Sequence, residues 1–505
     1  MANPLKQLAG ETAIYGLSTI LARIINFLFV PIYTRILSTS SYGVVTEFLA
    51  YIAVLQVILV LGLETGCFRF ANKEGTDPRS VYSNAFATVF GLNALFLATL
   101  ILFVRPIASG LGYAGYENVI LYVGGILMLD SLTAILFARL RQEHKALKFA
   151  IIKTVKILTE TVANLYLFLV FPKHPVAFLE GFVSAAPDFS YPIFAIFVSS
   201  VVCAVLLLPD FFRLTMRLDG KLLRKMLGYS IPLMISTLPG IVNDFLDRVL
   251  FRFFDTGSEA WRSSLGIYQA AVKIATIMNL FIQMFRYAAE PFFFQRAKDK
   301  GSKQLYAIVM EYFTAFCGLI FLGVILYIDV LSLILGRDFR VGIGIVPIML
   351  MSYILLGMLF NVSMWYKLSD KTKIAIWITL AGLVVTTVIN VLFMPRFSYW
   401  AAAWGHLASY VTMFVISAAL GAKYYPIPYN WKRILGLLVL MLAIYGLSAA
   451  LDTLFFQDAL IGQSSAGPIL LKLLVHTALI AAYLGICWRL LRDRYRLAIH
   501  SADPE

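Results

Sequence analysis

Residues 266–290 read GIYQAAVKIATIMNLFIQMFRYAAE, and this run is long and apolar enough to cross a bilayer, which requires about 20 residues. Polar side chains recur along it at steps of three or four, which places them on one face of an α-helix: Gln269, Lys273, Thr276, Asn279, Gln283, Arg286 and Glu290. A Lys or Arg at the centre of a membrane helix costs about 2.5–3.5 kcal/mol, so such residues face protein or a water-filled cavity. We therefore expect this helix to line a polar passage through a membrane.

The composition of the whole chain is typical of a polytopic membrane protein. Of its 505 residues, 60% are hydrophobic and 14% are charged, which is too little polar surface for a soluble protein. The net charge is +14, but the basic residues lie in short loops between apolar runs. This placement is typical of a topology signal and argues against a nucleic-acid partner. The four cysteines are far apart and indicate neither a metal site nor a disulfide framework.

Hydropathy and length predict an all-α polytopic membrane protein with about 14 transmembrane helices. The predicted spans lie near 13–34, 44–65, 81–104, 118–138, 150–171, 190–209, 229–251, 266–287, 310–335, 343–366, 374–394, 401–421, 433–455 and 469–489. Every second loop is rich in Lys and Arg, and such loops remain in the cytoplasm. With an even number of spans, both termini are expected to be cytoplasmic. The first run lacks a cleavage site and is expected to stay as a membrane helix.

A weak internal repeat predicts two lobes. The segments SSYGVVTEF (40–48) and SSLGIYQAAVK (263–273) each follow a span, and each opens the next helix with small residues. Because both units have the same orientation, they indicate a parallel repeat. We predict an N-lobe at 1–209, a C-lobe at 229–421, and a final part at 422–505 with helices 13 and 14 and a basic tail. Residues 210–228 are either a basic amphipathic linker on the anionic leaflet or a plain topology signal.

Costly polar residues concentrate on predicted spans one, seven and eight. Span one carries Arg23 near mid-membrane together with Asn26. Span seven contains Pro239 and Gly240, which are expected to interrupt the helix, followed by Asp244, Asp247 and Arg248. A structural ion pair at this helix end explains these last residues as well as a transport role does. Arg286 has two equal interpretations, since it can contact a ligand or pair with Glu290.

The expected passage is net cationic at Arg23, Lys273 and Arg286, and cations in a low-dielectric site bind phosphates strongly. The amides of Asn26, Asn279 and Gln283 can hydrogen-bond sugar hydroxyls. An anionic lipid headgroup is therefore a natural cargo. The chain has no Walker A sequence, no H-E-x-x-H and no G-x-S-x-G, so we expect no enzyme activity, catalytic residue, metal or cofactor. Transport would then be driven by an ion gradient, the membrane potential or the cargo gradient.

Two stretches resemble a known family. The runs ETAIYGLSTILARIINFLFVPIYTRILSTSSYGVVTEF and NDFLDRVLF…IYQAAVKIATIMNLFIQMFRYAAEPFFFQRAKDK resemble oligosaccharide flippases of the multidrug/oligosaccharidyl-lipid/polysaccharide (MOP) exporter superfamily. The resemblance implies two six-helix lobes around a central cleft plus two carboxy-terminal helices, in the cytoplasmic (inner) membrane of a bacterium. It also implies alternating access that moves a polyprenyl-diphosphate-linked oligosaccharide to the outer leaflet.

In that picture the basic residues Arg23, Lys273 and Arg286 would hold the diphosphate–sugar headgroup. The resemblance further implies that acidic residues exchange ions or pair with those bases during the lobe motion, the candidates being Asp244, Asp247 and Glu290, with Arg248 beside them. Membrane lipids, a polysaccharide polymerase and glycosyltransferases are the other expected partners.

Three alternatives remain. A flippase for the lipid-linked peptidoglycan precursor, from the same superfamily, fits the chain length and helix count equally. A cation-coupled multidrug exporter is disfavoured by the central bases and the additional helix pair. A membrane-bound polysaccharide polymerase normally has a large outer loop, whereas the longest predicted outer loop here is 172–189.

Overall fold

The computed structural model describes residues 21, 24–214, 218–255, 260–297, 299, 301–369, 371–456 and 466–500, and these residues form helices and connecting turns with no β-strand. We number the long helices in chain order: α1 Ile24–Ile36, α2 Thr39–Val60, α3 Pro78–Leu102, α4 Glu117–Gln142, α5 Ala146–Leu165, α6 Ser190–Phe211, α7 Gly220–Phe254, α8 Ala260–Gln295, α9 Ser302–Leu326, α10 Val346–Val362, α11 Lys373–Phe397, α12 Tyr399–Tyr424, α13 Trp431–Phe455 and α14 Ala466–His500. Short helices Leu63–Ala71, Val104–Gly110, Ala177–Glu180, Ile328–Ser332 and Met364–Leu368 join them, with a π-helix at Tyr166–Val170 and a 3₁₀-helix at Arg337–Ile345.

Twelve helices in the described residues are long and apolar enough to span a bilayer. Two predicted spans are not among them. The span at 13–34 falls largely outside the described residues and leaves only the shorter helix α1, while α5 carries Lys153, Lys156 and Glu160 along its length. The prediction of an all-α, multi-pass membrane protein is therefore confirmed. The count of fourteen and the cytoplasmic location of both termini stay predictions.

The ends of two helices follow from their sequence. Asp77 caps α3, because its carboxylate accepts hydrogen bonds from the backbone N–H groups of Arg79 and Ser80, each at 3.1 Å, and Pro78 follows as the first helical residue. Helix α2 ends where Leu61 and Gly62 adopt positive φ angles of 56° and 66°. This left-handed turn suits glycine and redirects the chain into Leu63–Ala71.

The chain divides into two compact units. The first comprises residues 1–253 together with 257–266. Its core includes Cys67, Tyr82, Phe137 and Cys203, which come from the Leu63–Ala71 helix, α3, α4 and α6. Polar contacts also join its helices: Lys156 of α5 pairs with Asp130 of α4 at 2.5 Å, and the Gln56 amide of α2 donates to Ser131 of α4 at 3.0 Å.

The first unit includes residues 229–253 of α7. The reason is a close approach of helices: a Cβ at Gly62 would lie 2.6 Å from the carbonyl oxygen of Ser230, and one at Gly66 would clash with the Ser230 side chain. Helix α7 begins at Gly220 and continues through Pro239 to Phe254, so residues 220–228 form its first turns. The lobe and linker assignments stay proposals.

The second unit comprises residues 254–256 and 267–505. Ion pairs attach the last two helices, α13 and α14, to α9 and the turn that follows it. Arg433 pairs with the buried Glu311 at 3.0 Å, and Lys472 pairs with Asp329 at 2.7 Å. The Tyr483 hydroxyl of α14 donates to the Ala315 carbonyl of α9 at 2.9 Å. The carboxy-terminal helices are thus anchored by charge as well as by apolar packing.

Candidate functional site

The polar face of α8 lies at the edge of a tightly buried helix. Ile274, Met278 and Ile282 are buried and lie one helical turn apart. Lys273, Asn279 and Gln283 lie beside them and are half-buried, as their spacing in the sequence predicts. The Gln283 amide nitrogen donates to the Asn279 side-chain oxygen at 3.2 Å. This face therefore presents a fixed pair of amides one turn apart.

One turn further along α8, four side chains form what we call the Glu290 cluster: Arg286, Glu290, Asn361 and Lys367. The Lys367 ammonium lies 2.5 Å from one carboxylate oxygen of Glu290, and the Arg286 guanidinium lies 3.4 Å from the other. Arg286 also lies over the ring of Phe360, with its guanidinium carbon 4.7 Å from the ring centroid. Two cations share one carboxylate, so the cluster carries a net charge of +1.

The same cluster offers an acceptor as well as donors. The Asn361 side chain is buried, and its oxygen has no hydrogen-bond partner among the described residues, while its nitrogen donates to the Gly357 carbonyl at 3.2 Å. A buried polar atom without a partner costs about 1–3 kcal/mol, so a ligand hydroxyl reaching this oxygen would be stabilised. The Arg286 side chain is 48% exposed, so its guanidinium N–H groups are accessible from outside the cluster, whose enclosed cavity is only about 20 Å³. The arrangement suits a ligand that combines phosphate with hydroxyl groups.

The acidic residues predicted on α7 lie in the first unit. Asn243, Asp247 and Arg248 are buried, whereas Asp244 is exposed. Arg248 pairs with the Asp247 carboxylate at 3.2 Å and also donates to the backbone carbonyl of Asp244. Its guanidinium lies over the ring of Phe245, 5.1 Å from the centroid. Arg248 and Asp247 thus form a structural ion pair, and a coupling role for these residues stays a prediction.

A third cluster was not found by sequence reasoning. Glu47 of α2 is fully buried and accepts hydrogen bonds from the Arg252 guanidinium at 2.7 Å, the Tyr51 hydroxyl at 2.6 Å and the Tyr113 hydroxyl. Arg252 in turn donates to the Leu111 carbonyl at 2.7 Å. The available signal was an acid inside an apolar span, but its partners lie 66 and 205 residues away along the chain.

The two segments of the internal repeat contact each other beside Glu47. A Cβ at Gly43 would clash with the backbone carbonyl of Arg262, and one at Gly266 would clash with the carbonyl of Thr39. The hydroxyls of Thr39 and Ser263 lie 2.7 Å apart. The start of α2 and the first turns of α8 therefore cross with their backbones in contact, which requires glycine at both positions.

The predicted site residues are thus described to different degrees. Arg23 lies outside the described residues, and Asn26 is exposed on α1. The structure brings together Asn279 with Gln283, and Arg286 with Glu290. It adds Lys367 and Asn361, which sequence reasoning did not assign to the site.

Comparisons with known proteins identify the family of the chain. Residues 8–297 match the family model described as "Polysaccharide biosynthesis protein". A solved structure of the lipid II flippase MurJ, in an inward closed conformation, has a TM-score of 0.66 at 12% identity and covers 94% of this chain and 98% of its own. No curated protein matches the chain in sequence.

A multidrug resistance MATE family transporter of the MOP superfamily, in an inward-facing conformation, has a TM-score of 0.58 at 12% identity and covers 82% of this chain and 94% of its own. At these identities the structural likeness shows the fold alone, whereas the family match covers more than half of the chain. The chain belongs to the polysaccharide biosynthesis protein family and has the fold of the MOP superfamily of multi-pass membrane transporters and flippases.

Proposed function

We propose that this protein is a flippase that moves a polyprenyl-diphosphate-linked oligosaccharide, the repeat unit of a surface polysaccharide, from the cytoplasmic to the outer leaflet by alternating access. One observation carries the proposal: the Glu290 cluster continues the amide-bearing face of α8. The rise from Lys273 to Arg286 is about 20 Å, at 1.5 Å per residue. A headgroup with a diphosphate and several sugars needs a recognition surface of about this length.

Each part of the surface has a chemical role in this proposal. Arg286 and Lys367 contact the diphosphate, and Glu290 offsets one of their two charges while no cargo is bound. Asn279 and Gln283 hydrogen-bond sugar hydroxyls, and Lys273 contacts an anionic group further along. Arg23 and Asn26 of span one are proposed to face the same headgroup.

The driving force is proposed to be an ion gradient or the membrane potential. Asp244, Asp247, Arg248 and Glu290 are the candidates for coupling or gating, since they combine acids with a base on two long helices. Glycosyltransferases that build the cargo and a polymerase that consumes it are the proposed partners in the inner membrane of a bacterium.

The test is glycan export by cells that carry Arg23→Ala together with Lys273→Ala, or Arg286→Ala together with Lys367→Ala. Each lost charge-assisted phosphate contact is worth about 1.5–3 kcal/mol, so we expect export to fall at least tenfold for each double variant. The exposed Arg396 at the end of α11 provides a matched control as Arg396→Ala. Normal export at equal protein level in both double variants would contradict the proposal.

A second candidate is a flippase for the lipid-linked peptidoglycan precursor, favoured by the structural match to the lipid II flippase over 94% of the chain. Both cargoes are lipid-linked diphosphates, so the same residues would serve. Depletion of the protein distinguishes the two: lysis of growing cells supports the precursor, and viable cells without surface polysaccharide support the repeat unit.

The MATE match keeps a multidrug exporter as a third candidate. The Glu290 carboxylate is already shared by Arg286 and Lys367, and a pocket of net charge +1 repels a cationic drug. We therefore expect overexpression to leave susceptibility to cationic drugs unchanged.

A further inference from the structure

A second polar cavity lies in the first unit, at the end that the basic loops predict to be cytoplasmic. Its volume is about 880 Å³, within the range of small-molecule sites. The start of α3, the end of α4 with the turn before α5, and Arg213 just after α6 form its walls. Charged groups dominate the lining, and they are Asp77, Arg79, Arg139, Glu143, Lys145 and Arg213.

Both carboxylates of this cavity are already engaged. Glu143 pairs with Arg139 at 2.6 Å and with Lys145 at 2.5 Å. Burial raises the pKa of Glu143, but hydrogen bonds and charge from Lys145 and Arg139 outweigh it and hold the pKa below its ordinary value. Asp77 is engaged as the cap of α3, and the Ser80 hydroxyl donates to it at 2.9 Å. Glu143 is therefore shared by two cations, whereas Asp77 keeps its negative charge and attracts Arg79.

Two cations of the cavity are not in direct contact with a carboxylate, and the four cations of the lining outnumber its two acids. Arg79 and Arg213 are exposed, and neither makes an ion pair with any residue that the structure describes. They approach the cavity from different elements, the first turn of α3 and the end of α6. Guanidinium groups bind phosphate in a bidentate manner, so two of them around one cavity favour a phosphate ligand.

A neighbouring residue indicates where that phosphate comes from. Phe212, beside Arg213 at the end of the membrane helix α6, is 75% exposed. An exposed apolar ring at the end of a membrane helix can contact acyl chains, while the long side chain of the adjacent arginine reaches the headgroup level. A soluble anion would gain nothing from the ring, whereas a lipid would contact both residues.

We propose that this cavity binds the headgroup of an anionic glycerophospholipid, with Arg79 and Arg213 contacting the phosphate and Phe212 contacting the acyl chains. The site is separate from the α8 surface and does not rest on the proposed cargo. A bound lipid would hold the start of α3, the α4–α5 turn and the end of α6 together. The cytoplasmic leaflet, which is rich in anionic lipid, would supply it.

The test is native mass spectrometry of the full-length protein in detergent, titrated with dioctanoyl phosphatidylglycerol. An Arg near a membrane surface is worth about 1 kcal/mol toward anionic lipid, so Arg79→Gln with Arg213→Gln is expected to weaken binding about thirtyfold. Arg105→Gln with Arg396→Gln removes the same charge at exposed sites elsewhere and is expected to leave binding unchanged. Equal losses in the two double variants would overturn the site.

Further measurements distinguish an anionic lipid from a zwitterionic lipid and from a soluble diphosphate. Phe212→Ser is expected to weaken phosphatidylglycerol binding several-fold, and phosphatidylcholine is expected to bind weakly to every variant. Unchanged binding by Phe212→Ser, or equal binding of phosphatidylcholine, would overturn the lipid assignment. Displacement of phosphatidylglycerol by inorganic pyrophosphate would show instead that the cavity takes a soluble or cargo diphosphate. Melting temperatures equal to that of the parent protein verify folding, and Arg79→Lys with Arg213→Lys, which keeps the charge, should bind with intermediate affinity.

Discussion

At the scale of single residues, the fully buried carboxylate of Glu47 holds three parts of the first unit together. Glu47→Ala would leave the Arg252 guanidinium without its carboxylate, and removing one partner of a buried pair costs about 3–5 kcal/mol. We expect a lower thermal midpoint for Glu47→Ala, measured in detergent, and no change for the exposed Glu74→Ala.

A double-mutant cycle makes this prediction specific to the pair. Arg252→Ala removes the cation whose neutralisation Glu47 provides, so the combined variant should lose less stability than the sum of the two single losses. Strict additivity would mean that the two residues stabilise the fold independently and would contradict the interpretation.

The residues also show what sequence can and cannot predict about the site. The Arg286–Glu290 and Asn279–Gln283 pairs are four positions apart on one helix, so helical periodicity alone places their members side by side. Lys367 lies 77 residues from Glu290 and reads in the sequence as one more basic loop residue. Nothing local in the sequence distinguishes it, because its role depends on how α8 and the short helix Met364–Leu368 pack.

At the scale of helices, the crossing of α2 and α8 depends on Gly43 and Gly266. Gly43→Ala or Gly266→Ala would force the backbones apart, and overpacking of this kind costs about 1–3 kcal/mol. Gly91, inside α3, has no heavy atom near the position of a Cβ, so Gly91→Ala is expected to be neutral or slightly stabilising. Thermal unfolding of the three variants checks this, and equal behaviour would contradict the close crossing.

The cap of α3 gives a pH-dependent prediction. Hydrogen bonds from Ser80 and Arg79 hold the pKa of Asp77 below its ordinary value of 3.8. The stabilisation is therefore present at neutral pH and is lost as the pH falls below about 4, through the pKa of the folded protein. Asp77→Ala should cost about 1 kcal/mol at pH 7, whereas Asp77→Asn keeps a capping oxygen and should cost little.

Unfolding midpoints at pH 7 and near pH 2, below the lowered pKa of Asp77, check both statements. The advantage of the parent protein over Asp77→Asn is expected to shrink at the lower pH, since only the parent loses a charge there. A constant difference between these two proteins would show that the charge of Asp77 contributes nothing to the cap.

At the scale of the whole molecule, the membrane topology can be tested by labelling added cysteines, because the native cysteines are expected not to react. Cys67, Cys203, Cys317 and Cys487 are all buried. Lys73→Cys and Lys173→Cys place thiols at exposed positions in loops predicted to be cytoplasmic and outer, respectively. In intact cells a membrane-impermeant maleimide should label only the second variant, and the reverse pattern would contradict the predicted orientation.

The whole molecule also shows which features of the fold are local in sequence and which are not. Each predicted span consists mostly of helix where the structure describes it, with turns at residues 61–62 and 333–335 inside two of them, because span length and hydropathy are local properties. The assignment of residues 229–253 to the first unit depends instead on Gly62 and Gly66, which lie against Ser230 more than 160 positions later. Hydrophobic periodicity reports only on residues close together in the chain, so it does not reveal contacts at such separation.

The attachment of α13 and α14 has a consequence for shortening the chain. Glu311 and Asp329 belong to α9 and the short helix after it, while their cations, Arg433 and Lys472, belong to the two final helices. His476 supplies a further contact, 3.1 Å from Asp452 and 2.6 Å from the Leu326 carbonyl. A version ending after Tyr424 would leave the buried Glu311 and the half-buried Asp329 without these cations, so we expect removal of α13 and α14 to destabilise the protein unless Glu311 and Asp329 are neutralised at the same time.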